Sequence, residues 1–249
     1  MKRLFLATLL IASIWGVIYG ASNEDFKYTV SYKWGLIQKD AGDVKISKRL
    51  GPNGYELRMV ASTKPWADRI YRVRDTLISH TLRDKYRPIQ YSIIANEKNR
   101  YKRDDITYTY SGNTVKGHVE KFREQKDGSI THEKLELEGA YPVYDMLSIY
   151  FYLREIDYGS LKPGETVKTT IFSGDKVEQL HVQAVGKEMV KMKDKTDKEA
   201  WHIVFKFTQQ GGKKSSDDIN CWISTDGTST PLLIVGNLPI GQIRVTHEP

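Results

Sequence analysis

A single cysteine, Cys221, in 249 residues excludes an internal disulfide framework and any cysteine-rich zinc module. The chain has no glycine-rich phosphate loop and no alternation of strands with long helices, which excludes the common nucleotide-binding α/β architectures. Its histidines, His80, His118, His132, His181, His202 and His247, stand singly, with none of the His-x-x-x-His or Glu-x-x-His spacings that metal sites use. Beyond the first twenty residues there is no apolar run approaching the ~18 residues of a membrane-spanning helix. A disordered chain is excluded by composition, since 39% of residues are hydrophobic and 28% charged.

The N-terminus departs from the rest. Lys2 and Arg3 precede the uncharged run Leu4 to Ile14, Trp15 to Tyr19 extends it, and Gly20, Ala21 and Ser22 supply small residues. That order is the pattern of a secretory signal peptide, expected over 1–20 with cleavage after Gly20. The alternative is an uncleaved anchor, since the run is near the lower limit for a span. No cysteine lies at the junction, so bacterial lipid attachment there is excluded. The expected product is a single β-rich domain over 21–249 in an exported compartment, the periplasm first, with no transmembrane segment. Losing Lys2 and Arg3 lowers the formal charge from +7 to +5.

From Phe26 the pattern has period two: Phe26, Tyr28, Val30, Tyr32 and Trp34 alternate with polar residues. Such alternation builds strands with one buried and one wet face. It recurs over Val44–Ser47, Tyr55–Ala61, Ile70–Leu77, Ile89–Ala95, Ile106–Tyr110, Thr114–Phe122 and Ile130–Leu137. After a break it returns over Thr166–Phe172, Val177–Val185, Trp201–Thr208, Ile219–Ser224, Leu232–Val235 and Ile243–Thr246. Ser111-Gly112-Asn113, Lys126-Asp127-Gly128 and Ser173-Gly174-Asp175 carry tight-hairpin chemistry. Sequence neighbours are therefore expected to be antiparallel neighbours in space. The charged stretch Lys187–Lys198 and the polar stretch Gln209–Asp218 read as exposed hairpin tips.

One segment keeps a different period. Asp145 to Glu155 places Met146, Ile149, Tyr150 and Leu153 at helical spacing, with Asp145 as cap and Gly159 and Pro163 beyond. Leu147 and Phe151 widen the apolar stripe over nearly the whole surface, so this helix must be buried on several sides. Its expected place is the concave side of a curved antiparallel sheet, an all-β half-barrel or open barrel-like roll with one central helix, between two sets of strands.

Three stretches together carry a resemblance. They are Trp34-Gly-Leu-Ile-Gln-Lys-Asp-Ala-Gly, then Asp145-Met-Leu-Ser-Ile-Tyr-Phe-Tyr-Leu-Arg154 with Gly159 and Lys162-Pro163-Gly164, and Trp222-Ile-Ser-Thr-Asp226 ahead of Pro231 and Gly241-Gln-Ile-Arg-Val. The set resembles the bacterial exported family labelled domain of unknown function 3108, over almost the whole mature chain. The resemblance implies an all-β envelope protein with a central helix and carries over no catalytic or binding residue. At fold level the pattern is also similar to the half-barrel lipoprotein carriers of the periplasm, an analogy of architecture only.

The chemistry-bearing residues mostly read as structure. His118 and Glu120 share a strand face, but no third metal ligand accompanies them. Cys221 lies in an apolar strand and reads as a small buried hydrophobe. Asp104-Asp105 and Asp217-Asp218 read as turn residues, and Ser148 lacks the turn that exposes a hydrolase nucleophile. No catalytic constellation and no cofactor is expected. Trp34, Trp201 and Trp222 are expected in the core, and Trp66, after Pro65, at the surface.

The charge is uneven. From Lys64 to Arg103 there are eleven basic residues against four acidic, so this window carries +7 and the rest of the mature chain −2. Three functions compete. In the first, the curved sheet holds an amphiphilic or anionic envelope ligand, a lipid or acidic glycan, with Trp66, Arg69, Arg72, Arg74 and Tyr150 as binding residues. The second is an interaction or structural module that docks an envelope protein and whose core is filled. Last comes an envelope hydrolase. Nucleic acid is a poor partner for an exported chain without a recognition module.

Overall fold

In the computed structural model, residues 23–98, 100–125, 127–209 and 217–249 are described; the expected signal peptide at 1–20 and most of the 209–218 loop lie outside them. Alternating side chains draw out two meanders. The first runs through β1 (Glu24–Trp34), β2 (Ile37–Leu50), β3 (Tyr55–Thr63), β4 (Val73–Thr81), β5 (Pro88–Glu97), β6 (Arg100–Ser111), β7 (Thr114–Glu124) and β8 (Ile130–Ala140). The second runs through β9 (Val143–Asp145), β10 (Thr166–Ser173), β11 (Lys176–Lys191), β12 (Asp197–Gln209), β13 (Ile219–Ser224), β14 (Pro231–Asn237) and β15 (Gln242–Glu248).

The meanders join in the middle of one sheet, where β1 pairs antiparallel with β15, Val30 opposite Val245. The β9–β10 pair alone is parallel among the described ladders. The result is a 15-stranded, nearly closed barrel-like sheet. Its two ends overlap without a ladder: β9 packs against β5 inside, while β8 lies against β10 and β11. The Thr170 hydroxyl donates to the Ala140 carbonyl across this seam, and Lys121 reaches Asp175 at 2.8 Å. Phe172 fills the overlap, stacked on Tyr108 at 5.7 Å. A Cβ on Gly117 would stand 2.8 Å from its ring, and one on Gly139 3.1 Å. These two glycines are the notch that admits the ring.

Several local expectations change. Ile70 to Tyr71 is not strand but the end of a short helix, α1 (Pro65–Tyr71), because Pro65 presets a helical start and Asp68 ties Thr63 to Arg74. Asp104 and Asp105 lie within β6, facing opposite sides, and not in a turn. The central helix, α2 (Ser148–Leu153), is shorter than 145–155, since Asp145 still belongs to β9. Trp34 is 59% exposed, not core: β1 runs past its neighbour there, its ladder with β15 ending at Lys33.

The long β11–β12 hairpin packs over the outer face of the sheet. Val190 and Met192 join Ala200, Leu233 and Val235 in a cluster outside the barrel. Lys193, at its tip, binds Asp40 at 2.7 Å, and the outward Thr29 and Ser31 of β1 are buried. The tip is exposed, as expected, from Lys193 to Asp197, and Lys193 tethers it to the outer face.

Replacing Gly117 by Val should cost about 1–3 kcal/mol of stability, because the added methyls overpack a filled notch. Urea titration against the parent checks this; an unchanged midpoint would show that the overlap is loose.

Candidate functional site

One end of the barrel is sealed by α2. The Asp145 carboxylate accepts from the backbone N–H of Leu147 (2.8 Å) and Ser148 (2.6 Å), and the Asp145 N–H donates to the Ser148 hydroxyl at 3.0 Å. This reciprocal cap starts the helix. Ser79 of β4 donates to the same carboxylate at 2.6 Å, tying the cap to the wall. Burial raises the Asp145 carboxyl, while these hydrogen bonds pull the other way. Beside it the Tyr91 and Tyr108 hydroxyls are buried with no hydrogen-bond partner among the described residues. Ser148 thus serves the cap and not a nucleophile's turn.

Below α2 lies an aromatic and ionic floor. Phe151 sits 5.4 Å from the Tyr86 ring, which is 5.4 Å from Tyr55. The fully buried Lys48 ammonium approaches the faces of Tyr55 and Tyr86 at 5.1 and 5.7 Å and is paired with Glu24. Arg154 closes the group, 2.6 Å from Glu24 and over the Phe26 ring at 4.5 Å. Burial alone would raise the Glu24 carboxyl; the Lys48 and Arg154 contacts outweigh it and hold the group below its ordinary value. Tyr150 belongs here, its hydroxyl 2.6 Å from that of Tyr28.

On β1 to β5, burial falls over one inward step away from this floor, although Ala95, beyond Ile93, is buried again. On inward-facing positions Leu57 gives way to Met59, Ser79 to Leu77, Tyr91 to Ile93, Ile46 to Val44, and Tyr28 to Val30. The first of each pair is buried and the second half-buried, at a step of about 6.6 Å along a strand. These walls therefore grade from a packed end to a half-buried apolar end toward the opposite mouth, where Val44, Met59, Leu77 and Ile93 pack against the edge of the core.

That mouth is lined by charge. Period two places Arg100, Lys102 and Asp104 of β6 on the face of buried Ile106, and Lys121 and Arg123 of β7 on the face of Val119. Arg123 binds the buried Asp104 at 2.5 Å. Lys102 and Arg100 are exposed, with no hydrogen bond or ion pair to a described residue. Around them open two adjoining clefts of about 590 and 700 Å³, both lined by Arg100, Lys102, Glu124 and Gln125, with Arg123 and Asp127 in one and Tyr71, Glu97 and Lys98 in the other.

The five residues expected to bind together are not brought together. Arg69 is exposed at the mouth, and Arg72 follows α1 there. Arg74 is occupied by Asp68 (2.7 Å) and Thr63 (3.1 Å). Trp66 is half-buried, donating to the Asp40 carbonyl at 2.7 Å with Lys39 over its ring at 4.3 Å. Tyr150 is at the other end. The basic window also divides, since Arg83 and Arg87 flank the 3-10 turn at the sealed end and Lys85 lies within it. Arg123, outside the window, was missed, although parity on β7 marks it as inward.

His118 and Glu120 lie on the outer face, and Cys221 lies in the interior core. His118 contacts Glu136 (2.7 Å) and Thr109 (3.3 Å), all three exposed, and none lines a described cleft. Glu120 pairs with Lys134 at 2.7 Å. Cys221 is buried, and burial pushes its thiol well up. Among the described residues no group of three metal-ligand side chains occurs, and no helix is long and apolar enough to cross a membrane.

A nearly closed antiparallel sheet around an internal helix defines a barrel-like all-β protein. The family model described as protein of unknown function (DUF3108) matches residues 27–248, and the chain belongs to that family. Its fold is similar to the crystal structure of a β-barrel-like protein of the domain of unknown function DUF1849 from Brucella abortus. That match has a TM-score of 0.57 at 12% identity and covers 90% of this chain and 94% of the other. No curated protein sequence matches.

Glu24→Gln should remove about 3 kcal/mol by taking the paired carboxylate charge away from the buried Lys48 ammonium. Because the folded Glu24 carboxyl lies below its ordinary 4.5, its stabilisation is present above that value and lost as pH falls through the depressed one. Denaturation from pH 6 to 3 should be steeper in the parent than in Glu24→Gln; equal slopes would refute the assignment.

Proposed function

We propose that the protein is an exported, non-catalytic binding protein of the cell envelope, carrying an amphiphile with an anionic group. The apolar part occupies the half-buried apolar end of the barrel, and the anionic part meets Arg100 and Lys102 at the mouth. The carrying observation is the coincidence at one end of half-buried inward apolar side chains with two cations that have no ion-pair partner among the described residues. Half-buried Val44, Met59, Leu77 and Ile93 gain by contact with a hydrocarbon chain about what any apolar side chain gains on leaving water, ~25 cal/mol per Å². The export pattern at residues 1–20 supports the envelope as the setting. An interaction module with a filled core is the second reading, and the packed end of the barrel favours it.

Lipid extraction and native mass spectrometry of protein recovered from its own host should find a bound acidic amphiphile. Arg100→Glu with Lys102→Glu should weaken binding of the anionic fluorophore anilinonaphthalene sulfonate at least tenfold. Leu77→Trp, which fills the half-buried end, should do the same. No bound species, together with unchanged dye binding in both variants, would leave the filled-core module as the reading.

A further inference from the structure

Two hairpin tips at the open end set large apolar residues beside the usual turn residues Gly35, Asn237 and Gly241. The β1–β2 tip carries Trp34, Leu36 and Ile37, and the β14–β15 tip carries Leu238 and Ile240. All five are exposed, Leu36 completely at 104%. The tips are locked side by side, since the Tyr32 hydroxyl donates to the Ile240 carbonyl at 2.7 Å and Lys33 pairs with Gln242. A contiguous apolar projection of this kind marks an interaction surface.

The charge beside the tips that is left over after ion pairing is basic. Lys33 and Lys39 bracket the first tip, and α1 beside it exposes Arg69 and Ile70. The nearby carboxylates are each engaged: Asp40 by Lys193, Asp43 by Lys64, and Asp68 by Arg74. Neither tip contains an acidic residue.

We infer that these tips dock the protein onto an anionic lipid bilayer, with Trp34, Leu36, Ile37, Leu238 and Ile240 entering the headgroup boundary and Lys33, Lys39 and Arg69 resting on acidic headgroups. Apolar side chains that project, instead of lining a groove, suit a compliant surface, and binding of this type adds buried apolar area to electrostatic attraction. A second copy seated on the same patch by a two-fold axis would set Lys33 and Lys39 against themselves, which opposes that occupant. The docked orientation turns the open mouth toward the bilayer. This inference goes beyond the lumen reading and does not depend on it.

The test is flotation with vesicles of phosphatidylglycerol and phosphatidylethanolamine, against vesicles of phosphatidylcholine alone. The protein is recovered from expressing cells and its amino terminus read by mass spectrometry, so parent and variants share the same N-terminal segment. Leu36→Asp with Ile240→Asp should lower the bound fraction at least tenfold while leaving the melting transition and dye binding unchanged. Lys33→Gln and Lys39→Gln should each lower affinity about fivefold for the anionic vesicles only. Equal flotation of the Asp variant and the parent overturns the inference, as does a parent that stays in solution. Light scattering that shows a dimer broken by the same substitutions would assign the patch to a second copy. Unchanged dye binding in the mouth variants with flotation lost in the Asp variant would fault the lumen reading alone.

Discussion

The hydrogen-bonded cap at Asp145 is the constraint from which the architecture follows. One carboxylate, wholly enclosed, ends β9, starts α2 and grips Ser79 on the opposite wall. Enclosing a carboxylate without such donors costs several kcal/mol, so the turn, the helix and the wall must form together or not at all. Once α2 is held inside, Phe151 and Leu147 have their partners, and Lys48, Glu24 and Arg154 have a floor to stand on. The barrel acquires a closed and an open end from this one turn.

That polarity gives the remaining features their meaning. A barrel of uniformly packed layers would hide the same side chains at both ends. Here Leu57, Ser79 and Tyr91 are sealed while Met59, Leu77 and Ile93, one inward step further, remain half-buried. The exposed cations Arg100 and Lys102 and the apolar hairpin tips all belong to the accessible end, and the aromatic cage around Lys48 to the sealed one. Chemistry that looks scattered along the chain is sorted by which turn of the meander carries it.

Much of the fold was legible because period two and helical spacing are local signals. The strands from Phe26 onward, the turns at Gly112 and Gly174, and a buried helix near Tyr150 all follow from residue spacing. The three-residue β9 is too short for any periodicity, and the helix at Pro65 competes with an alternating pattern that continues through it. Trp34 was misplaced because alternation reports the face of a strand and not how far the strand outruns its neighbours. The site was less legible still. Charge along the sequence groups Arg74 with Arg100, yet a contact from Asp68, six residues away, removes Arg74 from use. Inward parity on β6 and β7 was readable, but its importance depends on which end the helix closes.

The overlap of β8 on β10, with β9 tucked beneath, has a consequence for the protein's life in a crowded compartment. An open antiparallel sheet offers two rows of unsatisfied N–H and C=O groups that recruit the strands of other chains. Here one edge strand is only three residues long and enclosed, and the other lies against the sheet's own opposite end and carries Glu133, Lys134, Glu136 and Glu138. Curling the sheet past closure thus protects the molecule from self-association and fibril growth, without requiring the backbone ladder that would make the barrel rigid all the way round.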